Sequence, residues 1–335
     1  MNIAIALNKK FLRYGYVMLT SLFENNKDED ISVTVLHRGL TEADFRNYME
    51  LAGKYGQRLS PLEITEEMIP SGLPSTEKWP IEVYFRLMLP FLLPESVERL
   101  LYLDTDIIVG RPLKELYEID LSGNLMAAVP DNSDGNLSDL QNRIFEEIIA
   151  SDRDFHYMNS GVLLMDIKAL RDAYTPEGFV DTAVKLKDLI TAFDQDIINY
   201  MFHGRIKSLP AEKYNLFARL FYNSGYDYRK VKAAGTVIIH YTGPKPWSGV
   251  NLRTDMEKFW WEYAVMTPYY HEFLEELVMA EIENGFENTN EFKYQLYQRE
   301  QLLDEIDALR ARAKEYEQAL KDCSALLQKL GGTPQ

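Results

Sequence analysis

The sequence predicts an α/β fold with a mostly parallel central sheet, and three observations lead there. Short β-rich runs alternate with amphipathic segments from the N-terminus onward; an acidic DTD motif sits where an apolar run stops; and neither a cysteine framework nor a membrane span competes for the chain. In such folds ligands bind beyond the carboxyl ends of the strands.

NIAIAL (Asn2 to Leu7) and ISVTVL (Ile31 to Leu36) read as strands, with Tyr14, Val17, Met18, Ser21 and Leu22 at helical spacing between them. Thr41 and Asp44 form a capping-box pair that starts a helix through TEADFRNYMELAGKYG. LEI near residue 63 predicts a strand, Val83 to Leu89 a helix, and LLYL (Leu100 to Leu103) a buried strand. YMNSGVLLMDI (Tyr157 to Ile167) is a strand entered through Asn159, Ser160 and Gly161, small residues that suit close approach of a ligand. FDQDIINYMF (Phe193 to Phe202) opens a helix with Asp194 as its expected cap. GTVIIHYTGPKPW (Gly235 to Trp247) is an apolar strand ending in His240, followed by a loop that carries Lys245.

The organisation read from this pattern is a catalytic domain over 1–250, an aromatic helical segment over 251–290 packing on it, and a heptad-patterned helix over 291–335. Leu302, Ile306, Leu309, Ala313, Tyr316, Leu320, Cys323, Leu327 and Leu330 step by four and three. Those heptads leave two outcomes open, a homodimeric coiled coil or a helix folded back on its own domain.

Bulk properties narrow the function classes. The 335 residues, 46% hydrophobic and 26% charged, are ordinary for a soluble globular protein. A net charge of −16 repels phosphate backbones and anionic headgroups, which excludes nucleic acid and electrostatic membrane docking. MNIAIALNKKF lacks the charge and length of a secretory leader, and the most apolar stretch, LMLPFLLP, is broken by Pro90 and Pro94. Cys323 is the single cysteine, so a reducing, cytoplasmic setting is expected.

A D-x-D alone says little, because DED at Asp28, DRD at Asp152 and DQD at Asp194 also occur. Only DTD follows a buried strand. Alternation along an extended chain would point Asp104 and Asp106 the same way, toward one cation. With His240 they make a mixed oxygen and nitrogen donor set that suits Mn²⁺ better than Mg²⁺, and Lys245 adds a charge for a diphosphate.

YLDTD with downstream NSGVLLMD, FDQDIIN and HYTGPKPW, in that order over residues 1 to about 270, resembles glycosyltransferase family 8. The resemblance implies a GT-A (Rossmann-like) nucleotide-diphospho-sugar transferase fold. It also implies transfer of galactose or glucose from UDP-galactose or UDP-glucose to a saccharide or glycoconjugate, with retention of anomeric configuration. On that basis Asp104, Asp106 and His240 are Mn²⁺ ligands; Gly243 and Lys245 contact the diphosphate; Ala6, Asn8, Lys10 and Thr105 belong to the nucleotide site; and Arg86, Asp104, Asn159, Asp194 and Gln195 hold the donor sugar, with Gln195, Asp194 and Arg86 as the catalytic group. LNKKF differs from the acidic and amide residues with which many relatives grip the nucleoside, and the Lys245 loop is one residue shorter than theirs. Two other readings compete: a non-catalytic UDP-sugar-binding scaffold, and a haloacid-dehalogenase-like phosphatase, which would want Thr or Val where Ile108 stands. SGLPSTEKWP, with Trp79 as a stacking platform, is an expected acceptor-side loop.

Overall fold

The computed structural model describes residues 1–69, 73, 81–131, 137–152, 154–221, 228–243, 245–248, 255–280, 282, 314, 316 and 318. The chain divides into two units, Met1–Leu274 and Glu275–Gln335. In the second unit Lys314, Tyr316 and Gln318 are helical, and Tyr316 is exposed. The other heptad residues lie outside the described residues, as does SGLPSTEKWP apart from Leu73.

Among the described residues ten strands form two sheets in the first unit: β1 (Asn2–Ala6), β2 (Ser32–His37), β3 (Arg58–Glu63), β4 (Arg99–Leu103), β5 (Ile107–Val109), β6 (Met126–Ala128), β7 (Val162–Asp166), β8 (Ile206–Ser208), β9 (Leu216–Phe217) and β10 (Ile238–His240). Seven pair in the order β3-β2-β1-β4-β7-β6-β8, and three in the order β5-β10-β9. β1 runs parallel to both β2 and β4, while β7 runs antiparallel to β4 and β6. The expected mostly parallel sheet is present, with one reversed strand in it. Pro61 is tolerated in β3 because that strand lies at the sheet edge.

The helices pack their apolar stripes on both faces. Leu12–Glu24 buries Val17, Met18, Leu19, Leu22 and Phe23, and the helix Glu42–Lys54 starts at the expected box, with Thr41 N donating to Asp44 Oδ2 at 2.9 Å. Helix Phe85–Leu92 contains Pro90, which cannot donate into the helical ladder. Arg171 supports its end, Nε donating to Pro90 O at 2.5 Å and Nη2 to Leu93 O and Pro94 O at 2.9 Å each.

Two local expectations are corrected. DTD is a turn, not an extended segment: β4 ends at Leu103, Thr105 and Asp106 turn, and β5 begins at Ile107 in the other sheet. Asp194 does not cap the helix Phe193–Phe202; Asp196, in its first turn, instead reaches back to the approaching chain, Oδ2 accepting from Thr191 N at 2.7 Å and Ala192 N at 2.8 Å.

The last described part of the first unit packs inward. Met256, Phe259, Trp260 and Phe273 are buried in a cluster with Val17, Ile108 and Ile239, and Trp247 stacks on Tyr14 at 4.2 Å between ring centroids. The stretch after Lys245 is thereby fastened to the first helix.

Arg171→Ala leaves several carbonyls without their charged donor and is expected to cost about 1–3 kcal/mol of stability. Urea unfolding of the two proteins measures it.

Candidate active site

Chain connectivity puts β2 and β3 on one side of β1 and β4 on the other, so the strand order reverses between β1 and β4. A crevice opens at such a switch point, beyond the strand ends. The pocket there is lined from the β1 side by Ala6, Asn8 and Phe11, and from the β4 side by Asp104, Thr105 and Asp106. Because β7 is reversed, its entry loop meets the same rim: Asp104 N donates to Gly161 O at 2.8 Å. Because β10 is antiparallel to β5, His240 pairs with Ile107 and arrives beside the turn.

Asp104, Asp106 and His240 each place a donor atom within 4.8 Å of the others, the one such cluster of three acidic, His or Cys residues among the described residues. His240 Nε2 lies 3.2 Å from Asp106 Oδ1 and 3.9 Å from Asp104 Oδ2. Gly161 makes the room. A Cβ at that position would come within 2.3 Å of the His240 ring and 2.7 Å of Asp104 Oδ2. The donor set, two carboxylates and one imidazole, fits a divalent cation. Lys245 forms a close ion pair with Asp106 and donates to Tyr241 O at 2.7 Å. Burial raises the Asp106 carboxyl, but the Lys245 ammonium and the neighbouring His240 ring outweigh it and hold the group below the usual carboxylate range.

Arg86 enters from helix Phe85–Leu92 and is 7% exposed. Its guanidinium lies 3.0 Å from Asp104 Oδ1 and 3.1 Å from Asp194 Oδ2, donates to Ser160 O at 2.6 Å, and stands over the Tyr102 ring at 4.5 Å. Arg86 Nε and Asp194 Oδ2 are both buried without an aligned hydrogen bond, although both residues line the pocket. They face each other at 3.1 Å as a charge pair. Burial pushes the Asp194 carboxyl up to about 6; Arg86 opposes the shift and Asp104 adds to it.

A web of amides joins these groups. Gln195 Oε1 accepts from Ser160 N at 3.0 Å and Asn159 Nδ2 at 3.1 Å, while its Nε2 donates to Asp131 Oδ2 at 3.1 Å. Asp131 also pairs with Arg219 at 2.6 Å, and Arg219 in turn donates to Thr242. Phe193, just before Asp194, has φ of +34°, a strained conformation held by the Asp196 carboxylate and by Tyr157 OH, which donates to Asp196 Oδ1 at 2.5 Å.

Of the residues expected at the site, Ala6, Asn8, Arg86, Asp104, Thr105, Asp106, Asn159, Asp194, Gln195, His240, Gly243 and Lys245 all line this pocket. Lys10 does not. It is exposed on a 3-10 turn, its backbone N–H held by Asn8 Oδ1 at 3.1 Å, so that turn directs Phe11 rather than Lys10 into the pocket. Phe11, Asp131, Asn215, Arg219 and Thr242 were not legible as site residues. Asp131 had a signal, since MAAV precedes it as an apolar run ending at the same rim; Asn215 and Arg219, beside a two-residue strand, had none.

The strand order, the switch-point pocket and one structural likeness define the class. The galactosyltransferase LgtC, solved with donor and acceptor sugar analogues, superposes with a TM-score of 0.66 at 24% identity, covering 80% of this chain and 96% of that one. This is a glycosyltransferase fold of the GT-A type. Residues 2–250 match the profile of glycosyl transferase family 8, and the chain belongs to that family. It is 27% identical over 251 residues to the lipopolysaccharide 1,2-glucosyltransferase of Escherichia coli K12, spanning 74% of this chain and 72% of the relative. It is 28% identical over 253 residues to the lipopolysaccharide 1,3-galactosyltransferase of Salmonella typhimurium LT2, spanning 73% and 72%. Among the described residues no helix is long and apolar enough to cross a membrane.

Two outcomes are expected. Gly161→Ala drives a methyl into the His240 ring and the Asp104 carboxylate, displaces both, and should weaken divalent-cation binding at least tenfold, read by titration of Mn²⁺. Asp194 has a raised carboxyl, so its contribution to stability is full below about pH 4 and lost as pH rises through about 6. Asp194→Asn removes that loss: relative to wild type, its stability should improve between pH 4 and pH 7.5 by roughly 2–3 kcal/mol, measured by thermal unfolding across that range.

Proposed function

We propose that this glycosyltransferase is a retaining hexosyltransferase that moves galactose or glucose from a UDP-sugar to a saccharide or glycoconjugate acceptor with the aid of Mn²⁺. The observation that carries the reading is the meeting of Asp104, Asp106 and His240 at the rim of the switch-point pocket. These three would hold the cation, which when bound supplies charge to offset that building on the diphosphate as the bond from C1 to oxygen breaks.

The chain's own residues do the rest. Phe11 offers a flat apolar face to a nucleobase beside the Asn8 amide, and the ammonium of Lys245 donates to the departing phosphate oxygens. Arg86 and Asp194, paired with each other and both lining the pocket, take hydroxyls of the sugar ring. Asn159 and Gln195 line the side nearer Asp131 and fix the ring's height over the cluster.

Retention by double displacement would need a free carboxylate beneath C1. Gln195 offers only a neutral amide oxygen already taken by two N–H donors, and Asp194 is paired with Arg86. The acceptor hydroxyl therefore attacks on the face from which UDP leaves, and the departing phosphate oxygen takes its proton. The naming of the relatives supports a lipopolysaccharide-type saccharide as the acceptor class.

UDP release from UDP-galactose and UDP-glucose, with Mn²⁺, with Mg²⁺ and with chelator, tests the reading. Turnover of one donor that chelator abolishes is expected; equal turnover with chelator sinks the cation role. Asp106→Asn should lower kcat about a thousandfold, the several kcal/mol a bound cation contributes. Gln195→Ala should lower kcat roughly 10–100-fold, the effect of a misplaced sugar, with retained configuration and no glycosylated peptide by mass spectrometry.

A further inference from the structure

We infer that Asn215 is a positioning residue for the cation site: its side-chain oxygen accepts from Nδ1–H of His240 and so leaves Nε2 as the nitrogen that would meet a cation beside Asp104 and Asp106. The inference rests on the reading of that cluster as a cation site.

Asn215 belongs to neither the DTD turn nor the strand that carries His240. It ends the short helix Ala211–Tyr214, immediately before β9, and is fully buried. Its Oδ1 lies 2.9 Å from His240 Nδ1, and its Nδ2 lies 2.9 Å from Asn159 Oδ1. The direction of this chain is fixed from its far end. Gly161 N, which can only donate, gives its hydrogen to Asn159 Oδ1 at 2.9 Å. Asp131, an acceptor, takes Asn159 Nδ2 at 3.2 Å. Asn159 is therefore oriented oxygen toward Asn215, which must answer with its NH₂ and turn its own oxygen to the imidazole.

An oxygen at Nδ1 requires a proton there. The other tautomer would set the Nδ1 lone pair against the amide oxygen. In the neutral ring Nε2 then carries the lone pair that a cation would take, and Nε2 is the atom 3.2 Å from Asp106 Oδ1, to which a proton on Nε2 would be donated without a cation. A ligating histidine held this way through its remote N–H binds metal in one ring orientation, and loss of such a partner costs about 10–100-fold in affinity.

The test is direct Mn²⁺ binding, followed by the EPR signal of the free ion, for wild type, His240→Ala, Asn215→Leu and Asn215→Asp. Asn215→Leu keeps the volume and removes the acceptor; Asn215→Asp keeps the acceptor and loses the contact with Asn159. Asn215→Leu should bind about 10–100-fold more weakly, with Asn215→Asp recovering most of the loss. Wild-type affinity in Asn215→Leu, or equal losses in both variants, overturns the inference. The second readout is the imidazole ¹⁵N spectrum of the wild-type protein, which needs neither variant to fold: Nδ1–H is expected at His240, and a ring protonated at Nε2 alone overturns the role of Asn215. Wild type that takes up no Mn²⁺ refutes the cation reading itself, and the ring spectrum then still decides for or against Asn215.

Discussion

The site is organised around one buried cation, the guanidinium of Arg86. A charge taken from water must be met by opposite charge and hydrogen-bond acceptors on several sides. Here Asp104 comes from the end of β4, Asp194 from the first turn of the helix Phe193–Phe202, Ser160 from the entry to β7, and the Tyr102 ring from within β4. One side chain thus sets the spacing of three segments far apart in sequence. Two carboxylates around one guanidinium also leave little favourable charge for the second of them. Burial is what makes Asp194 titrate high, and the shared Arg86 offsets it only in part, while Asp106, next to Lys245 and His240, titrates low.

Much of this was legible in the sequence, for physical reasons that also mark where legibility ends. β1, β2 and β4 carry runs of apolar residues long enough to show, and DTD and His240 could be placed because each follows such a run. The sheet of β5, β10 and β9 could not be assembled, since strands of two or three residues carry no period. Missing that sheet hid the reason Asp106 points where it does, a turn between sheets rather than alternation along one strand. The choice of Asp194 as the cap failed because Asp194 and Asp196 both satisfy the local rule for a helix start, and only burial beside Arg86 distinguishes them. Asn215 and Arg219 act through partners dozens of residues away, and no local pattern announces such a role.

Lys10 shows how a departure at one position can be absorbed by its neighbour. The expectation drawn from LNKKF placed a lysine against the nucleoside. The 3-10 turn instead carries Lys9 to an ion pair with Asp44 on the surface and leaves Phe11 facing inward. Two basic residues that look like site chemistry in the linear sequence are solvent-facing, and the aromatic residue after them lines the cavity.

The DTD turn joins two sheets that are otherwise separately hydrogen-bonded: Asp104 closes the last strand-end position of the large one, while Asp106 and His240 belong to the small one. Any ligand gripped by all three side chains therefore acts as a staple across a structural seam. The two sheets already share one apolar core, through Ile107, Val109 and Ile238 of the small one, and such a ligand would add a polar tie at its rim that stabilises both together.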